Sequence, residues 1–378
     1  MKKILVVFGT RPEAIKMAPL IDKLKQENYF NVKICITAQH RQMLDEVLNV
    51  FDLQADYDLD IMKPGQNLFD ITSKVLLGIN EVLTDFKPDI VLIHGDTTTT
   101  SATALAAFYH RTKIGHVEAG LRTYDIYSPW PEEANRQIAG VLSTYHFAPT
   151  ELTRDNLISE KKNLNQIIVT GNTVIDALFL MLDKIKTDSK LIENIYNDLN
   201  LDGFKPDNNR KIVLVTGHRR ENFGSGFINI CGALKELALK NPNIDIVYPV
   251  HLNPNVQKPV KDILNGISNV YLINPLKYES FVYMMSISYM IITDSGGVQE
   301  EAPSLGKPVL VMRDTTERIE ALNAGTVKLV GTDKNIIIKE AQNLLDNIDE
   351  YNKMAKAINP YGDGKASNRI VKFLKEVL

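Results

Sequence analysis

The residues best suited to chemistry sit in short polar clusters, each directly after an apolar run. Asp294-Ser295-Gly296-Gly297 follows the run 290–293, and 298–305 then has the composition of a short helix. Two glycines at such a turn let backbone amides approach a ligand closely, and the helix start adds partial positive charge. With the Ser295 hydroxyl as a further donor, this is an anion site suited to phosphate. Glu300 and Glu301 follow one turn later, placed to accept from sugar hydroxyls, which points to a nucleotide with a ribose. After the run 308–311, Arg313 and Arg318 bring two more cations beside this site.

A second set of clusters carries carboxylates. In His94-Gly95-Asp96-Thr97-Thr98-Thr99-Thr100, either Asp96 or Thr97 suits the N-cap of the following helix, and the four threonines suggest a polar pocket. Glu118, in His116-Val117-Glu118-Ala119-Gly120, stands at a strand end, where a carboxylate is costly unless it faces a cleft or is paired. Pro129-Trp130-Pro131-Glu132-Glu133-Ala134-Asn135-Arg136 is a rigid entry into a helix that holds Glu132 in place, with Glu133 reading as helix-start charge.

Cations and histidines complete the set. In Gly9-Thr10-Arg11-Pro12-Glu13-Ala14-Ile15-Lys16 the proline suits a first helical turn, so Arg11 and Lys16 stand near its start, either facing phosphate or as solvated surface charge. The run lacks the three-glycine dinucleotide fingerprint, which weighs against NAD. His218, in Gly217-His218-Arg219-Arg220-Glu221-Asn222, suits a general acid or a ligand contact; Arg219 and Arg220 either meet phosphate or pair with Glu221. His251, before Asn253-Pro254, is a strand-end polar contact.

Positioning these groups requires alternating strands and helices. Apolar runs at 4–8, 32–37, 90–94 and 114–118, each followed by a turn and a helical pattern, predict a βαβ series and a parallel sheet. Helical stretches at 174–185 and 189–199 lead to a polar segment, 202–210, read as a linker. A second series follows at 212–216, 244–250, 270–273, 290–293, 309–312 and 327–330. The expected fold is α/β, with two doubly wound Rossmann-like domains facing a cleft at the strands' carboxyl ends. The boundaries are 1–172 for the first domain, 173–210 for a helical connector, 211–366 for the second domain, and 367–378 for a last helix crossing back to the first.

Composition bounds the function. The 378 residues suffice for two cores, and a net charge of −3 argues against a nucleic-acid partner. Cys35 and Cys231 sit in apolar patterns and read as buried and reduced, with no zinc spacing and no metal site expected. The chain enters a strand at once without a signal peptide, and no apolar run reaches bilayer length, so a soluble cytoplasmic protein is expected.

The ordered set of motifs, from Gly9 to Gly331, resembles the bacterial non-hydrolysing UDP-N-acetylglucosamine 2-epimerases. The resemblance implies a glycosyltransferase-B-like pair of domains, a homodimer without an external cofactor, and interconversion of UDP-N-acetylglucosamine and UDP-N-acetylmannosamine for cell-surface polysaccharide. It implies catalytic roles for Asp96, Glu118, Glu132 and His218. It implies substrate contacts from Arg11, Lys16, Arg136, His251, Ser295, Gly296, Gly297, Glu301 and Arg313. Activation by substrate at a second site would involve Gln39, Gln42 and His218. The chain departs from the family's pattern at Ile319, where proline is expected. Two other readings are a UDP-sugar transferase of the same fold, which needs an acceptor, and a nucleotide-sugar sensor without turnover.

Overall fold

Runs of Ile, Val and Leu make short strands buried on both faces, and the computed structural model, which describes residues 1–38, 41–63 and 65–378 apart from the side chains of 41–43, pairs them in parallel. Two compact units result, 1–177 with 361–378, and 178–360.

The first unit contains β1 (Lys2–Phe8), β2 (Phe30–Ile36), β3 (Tyr57–Asp58), β4 (Ile90–His94), β5 (Lys113–Val117), β6 (Tyr145–Ala148) and β7 (Ile167–Val169), in spatial order β3-β2-β1-β4-β5-β6-β7. The second contains β8 (Lys211–Thr216), β9 (Ile244–Pro249), β10 (Val270–Ile273), β11 (Met290–Thr293), β12 (Val309–Val311) and β13 (Val327–Leu329), in order β10-β9-β8-β11-β12-β13. Each sheet winds outward in both directions from a central pair, β1 with β4 and β8 with β11. At such a switch point the two following loops diverge and leave a crevice beyond the strand ends. The polar clusters 9–16 and 94–100 follow one central pair, and 216–224 and 294–301 follow the other.

In the first unit the helices Leu68–Phe86 and Thr98–Tyr109 cover the sheet with Val75, Ile79, Ala104 and Ala107. In the second, Ser225–Lys240 and Pro254–Leu264 do so with Phe227, Leu234, Val256 and Val260. Thr97 caps its helix by accepting from Thr100 N at 3.2 Å, satisfying a donor that the first turn leaves open. The threonines expected to line a polar pocket are instead buried ties. Thr99 Oγ1 meets Thr37 Oγ1 at 2.9 Å and Thr100 Oγ1 donates to His94 O at 2.5 Å.

Two boundaries differ from expectation. The segment 202–210 is no linker: it lies within the second unit, Phe204 is fully buried against Tyr271, and Asp202 accepts from Asn274. The division falls instead within the helix Thr173–Thr187, between Ala177 and Leu178. The last helix, Ala366–Val377, belongs to the first unit together with the residues from Tyr361 onward. It packs on Arg11–Gln26, and Asp176 accepts from Ala366 N at 3.1 Å and Ser367 N at 2.7 Å. A carboxylate from another helix thus caps it. Among the described residues no helix is long and apolar enough to cross a membrane.

Candidate active site

Glu118 follows β5 with φ +62°, a left-handed backbone that a non-glycine residue adopts only when its surroundings impose it. What imposes it converges on a single oxygen. Oε2 lies 2.5 Å from Lys16 Nζ, accepts from Asn172 Nδ2 at 2.9 Å, and stands 3.6 Å from His94 Nε2. Burial on its own would raise this carboxyl, but Lys16 and His94 outweigh it and hold it well below the usual carboxylate range.

Asp96 has the opposite tendency. Burial pushes its carboxyl up and the charges of Glu118 and Glu132 push it further; Arg136, 2.7 Å from Oδ2, opposes this without cancelling it. Two neighbouring carboxylates are therefore driven apart in acidity. Glu132 opens the helix Glu132–Leu142, half-buried and near enough to act on Asp96.

Glu133, read as helix-start charge, stands in the first turn of that helix and is fully buried. It accepts from Thr123 N at 3.0 Å, Tyr124 N at 3.2 Å and Gln137 Nε2 at 2.8 Å, and stands 3.5 Å from Arg136. It thereby fixes the loop ahead of Glu132 and the arginine on Asp96. Glu13 does similar work at the other central strand, accepting from Gly9 N, Thr10 N and Thr97 Oγ1. Lys16, expected to meet phosphate, is engaged by Glu118, whereas Arg11 stands half-buried at the first position of its helix.

In the second unit the organising group is Asp294, which is fully buried. Its Oδ2 accepts from His218 N at 2.9 Å and Arg219 N at 2.8 Å, holding the turn after β8 against the turn after β11. The His218 imidazole stacks on His251, centroids 5.3 Å apart and planes 17° apart. Burial lowers its pKa, the Asp294 charge resists, and His251 and Arg219 add to the lowering. Ser295 precedes Gly296 and Gly297, and a methyl placed on Gly296 would lie 3.5 Å from Arg318 Nη2 and 3.8 Å from Arg219 Nη2. Glycine leaves that space open between two guanidinium groups.

Arg313 is held elsewhere, donating at 2.7 Å to both Glu221 and Glu317. Of the two arginines after β12, Arg318 is the one beside the glycine turn, oriented by Glu300, which accepts from its Nε at 2.6 Å. Glu300 therefore braces a guanidinium rather than standing open to a sugar, while Glu301 approaches Gly297. Among the described residues no group of three or more His, Cys, Asp or Glu is arranged to hold a metal ion.

The family model of UDP-N-acetylglucosamine 2-epimerase matches residues 22–375. The chain belongs to that family. A UDP-N-acetylglucosamine 2-epimerase of Campylobacter jejuni is 64% identical over 377 residues, covering 99% of this chain and 97% of the relative. One from Escherichia coli K12 is 58% identical over 373 residues, covering 99% and 98%. A crystal structure of the Neisseria meningitidis UDP-GlcNAc 2-epimerase bound to UDP-GlcNAc is similar with a TM-score of 0.89 at 55% identity, over 99% of this chain and 100% of that one. Membership of the UDP-N-acetylglucosamine 2-epimerase family agrees with two Rossmann-like domains of the glycosyltransferase-B kind.

Within this epimerase fold the first unit gathers Lys16, Asp96, Glu118, Glu132 and Arg136, and the second gathers His218, His251, Ser295, Gly296, Gly297 and Glu301. Gln39 lies outside the described residues, as does the side chain of Gln42. Sequence reading passed over Asn172, taken only as a domain edge, and His94. For His94 the signal was position, since it ends β4 two residues before Asp96; Asn172 comes three residues after β7 and had no such signal.

Proposed function

We propose that this epimerase interconverts UDP-N-acetylglucosamine and UDP-N-acetylmannosamine by eliminating UDP and adding it back. The hydrogen at C2 of an N-acetylhexosamine has no adjacent carbonyl to acidify it, so removal is coupled to departure of the group on C1. Glu118, ionised, takes the C2 proton through Oε1 while the C1–oxygen bond breaks and its electrons leave with UDP. The products of this half-reaction are 2-acetamidoglucal and UDP. On return, Asp96 supplies a proton to C2 from the opposite face, with Glu132 beside it, and UDP oxygen re-forms the bond to C1.

The second unit supports the departing diphosphate. Gly296 and Gly297 let main-chain amides approach it, and Arg219 and Arg318 supply positive charge. His218 with Ser295 and Glu301 contributes polar contacts to UDP. The exposed Phe69, Phe108, Tyr109, Ile138 and Val141 on three helices of the first unit support pairing as a homodimer. The reading places the enzyme in the cytoplasm, supplying N-acetylmannosamine units for surface polysaccharide.

The observation that carries this mechanism is the convergence of carboxylates in the first unit, Glu118 held by Lys16 and Asn172, and Asp96 held by Arg136. Incubation with UDP-N-acetylglucosamine in heavy water tests it: product carries deuterium at C2, and 18-O between C1 and the β-phosphate scrambles among phosphate oxygens. Epimerised product with neither deuterium at C2 nor any trace of released UDP would refute the scheme.

A further inference from the structure

The amide of Asn172 meets Glu118 at the point where the chain of the first unit leaves and returns. Asn172 follows β7 and is 4% exposed. Its Nδ2 donates to Glu118 Oε2 at 2.9 Å, and its Oδ1 accepts from Val174 N at 3.0 Å, capping the helix Thr173–Thr187. Its backbone N donates to Tyr361 O at 2.7 Å. One residue therefore joins the catalytic strand end, the helix along which the chain departs, and the segment along which it comes back.

We infer that Asn172 is a positioning residue for Glu118, its amide fixing Oε2 so that Oε1 is the oxygen presented to substrate. A carboxylate at φ +62° rotates about its side-chain torsions unless one oxygen is tied, and Lys16 alone leaves it free to pivot about a single contact. A second donor from a different element removes that freedom. The amide is a neutral donor, so it orients the oxygen without adding charge, whereas Lys16 supplies the charge. This rests on the reading of Glu118 as the group that exchanges the C2 proton.

The titratable groups facing Glu118 are Lys16, His94 and Asp96, and Asn172 is the uncharged member of the ring. Asn172→Asp keeps an acceptor for Val174 N and so keeps the helix cap, but turns an oxygen toward Oε2 where a donor stood. Two carboxylates at that distance compete for a proton and raise the apparent pKa of the pair, on the order of one unit or more. The acid limb of the kcat/KM profile therefore moves toward neutral pH. At its plateau kcat falls on the order of 10²-fold, the usual effect of a misplaced reacting group, with KM for the nucleotide sugar little changed.

A purely structural role moves the thermal midpoint and leaves the acid limb where it is. Asn172→Ala gives a second measurement, since it removes the orienting donor without adding charge. It lowers kcat without shifting the limb upward as the Asp variant does. Asn172→Asp with wild-type kcat and a wild-type acid limb overturns the assignment, provided that Glu118→Gln abolishes deuterium uptake at C2. If Glu118→Gln takes up deuterium at the wild-type rate, the reading of Glu118 itself fails and the role of Asn172 falls with it. The two failures are thus distinguishable.

Discussion

Burial favours the uncharged form of two histidines of the first unit, so charging them costs stability. His116 and His146 are each 1% exposed, and burial pushes them down to about 3 and about 4 respectively. His116 Nε2 bonds Gly95 O at 2.7 Å, next to Asp96. In the unfolded chain an imidazole titrates near ~6.5. Both folded values lie below this, so the unfolded state binds the extra protons as acidity rises. Their cost is absent above about pH 7 and grows as pH falls through the unfolded value toward the folded one. At pH 5 the gap is roughly 1.5 units, which at ~1.36 kcal/mol per unit is about 2 kcal/mol for each histidine.

His116→Gln isolates one of these contributions. The glutamine amide still donates to Gly95 O but has no proton to gain. Urea unfolding, followed by the fluorescence of Trp130, the single tryptophan and a residue of the first unit, is measured at pH 7 and pH 5 for both proteins. Wild type should lose about 2 kcal/mol more than the variant over that interval. Any constant cost of the substitution cancels in the difference. Equal losses in the two proteins would refute the claim that His116 is held neutral.

Asp96→Asn, Glu118→Gln and Glu132→Gln should each lower turnover by about two to four orders of magnitude, the weight of a positioned acid or base, in a coupled assay for UDP-N-acetylmannosamine; near-normal turnover removes a residue from the mechanism. Gly296→Val pushes a branched side chain toward Arg318 and Arg219 and should weaken UDP binding by calorimetry while circular dichroism stays unchanged. Gly120→Ala should destabilise, because φ is +92° and the added carbon collides with Thr153 O; an unchanged thermal midpoint contradicts this. Ile319 opens the helix Ile319–Ala324 and is half exposed, so Ile319→Pro should stabilise by about 0.4–1 kcal/mol in urea unfolding, and a loss shows that Arg318 resists the proline that follows it.

Strand positions were legible wherever four or more apolar residues ran together: 90–94, 270–273 and 290–293 coincide with β4, β10 and β11. β3 and β6 escaped because Tyr57–Asp58 has only two residues and Tyr145–Ala148 has a histidine inside; β7, three residues, escaped although β12 and β13 are equally short. Likewise the composition of 202–210 suggested a linker, yet Phe204 against Tyr271, Asp202 with Asn274 and Arg210 with Asp245 tie it to the second unit. At the site, residue types identified the carboxylates and the glycine turn. What the types could not tell was which charge answers which. Glu132 and Glu133 are adjacent and chemically alike, and only the fold turns Glu133 inward to the amides of Thr123 and Tyr124. In the same way Arg313 and Arg318 are interchangeable on paper until Glu221 and Glu317 claim the first.

The return of residues 361–378 to the first unit bears on how the protein is made. A ribosome releases the chain from its N-terminus, so 178–360 has emerged in full before the helix Ala366–Val377 exists. Until then Arg11–Gln26 lacks the cover of that helix, and Asp176 has no helix to cap. The usual vectorial order, first unit first, is inverted here. The unit bearing Asp96, Glu118 and Glu132 is begun first and closed last, and a message truncated near its 3′ end yields a complete second unit attached to an unfinished first one.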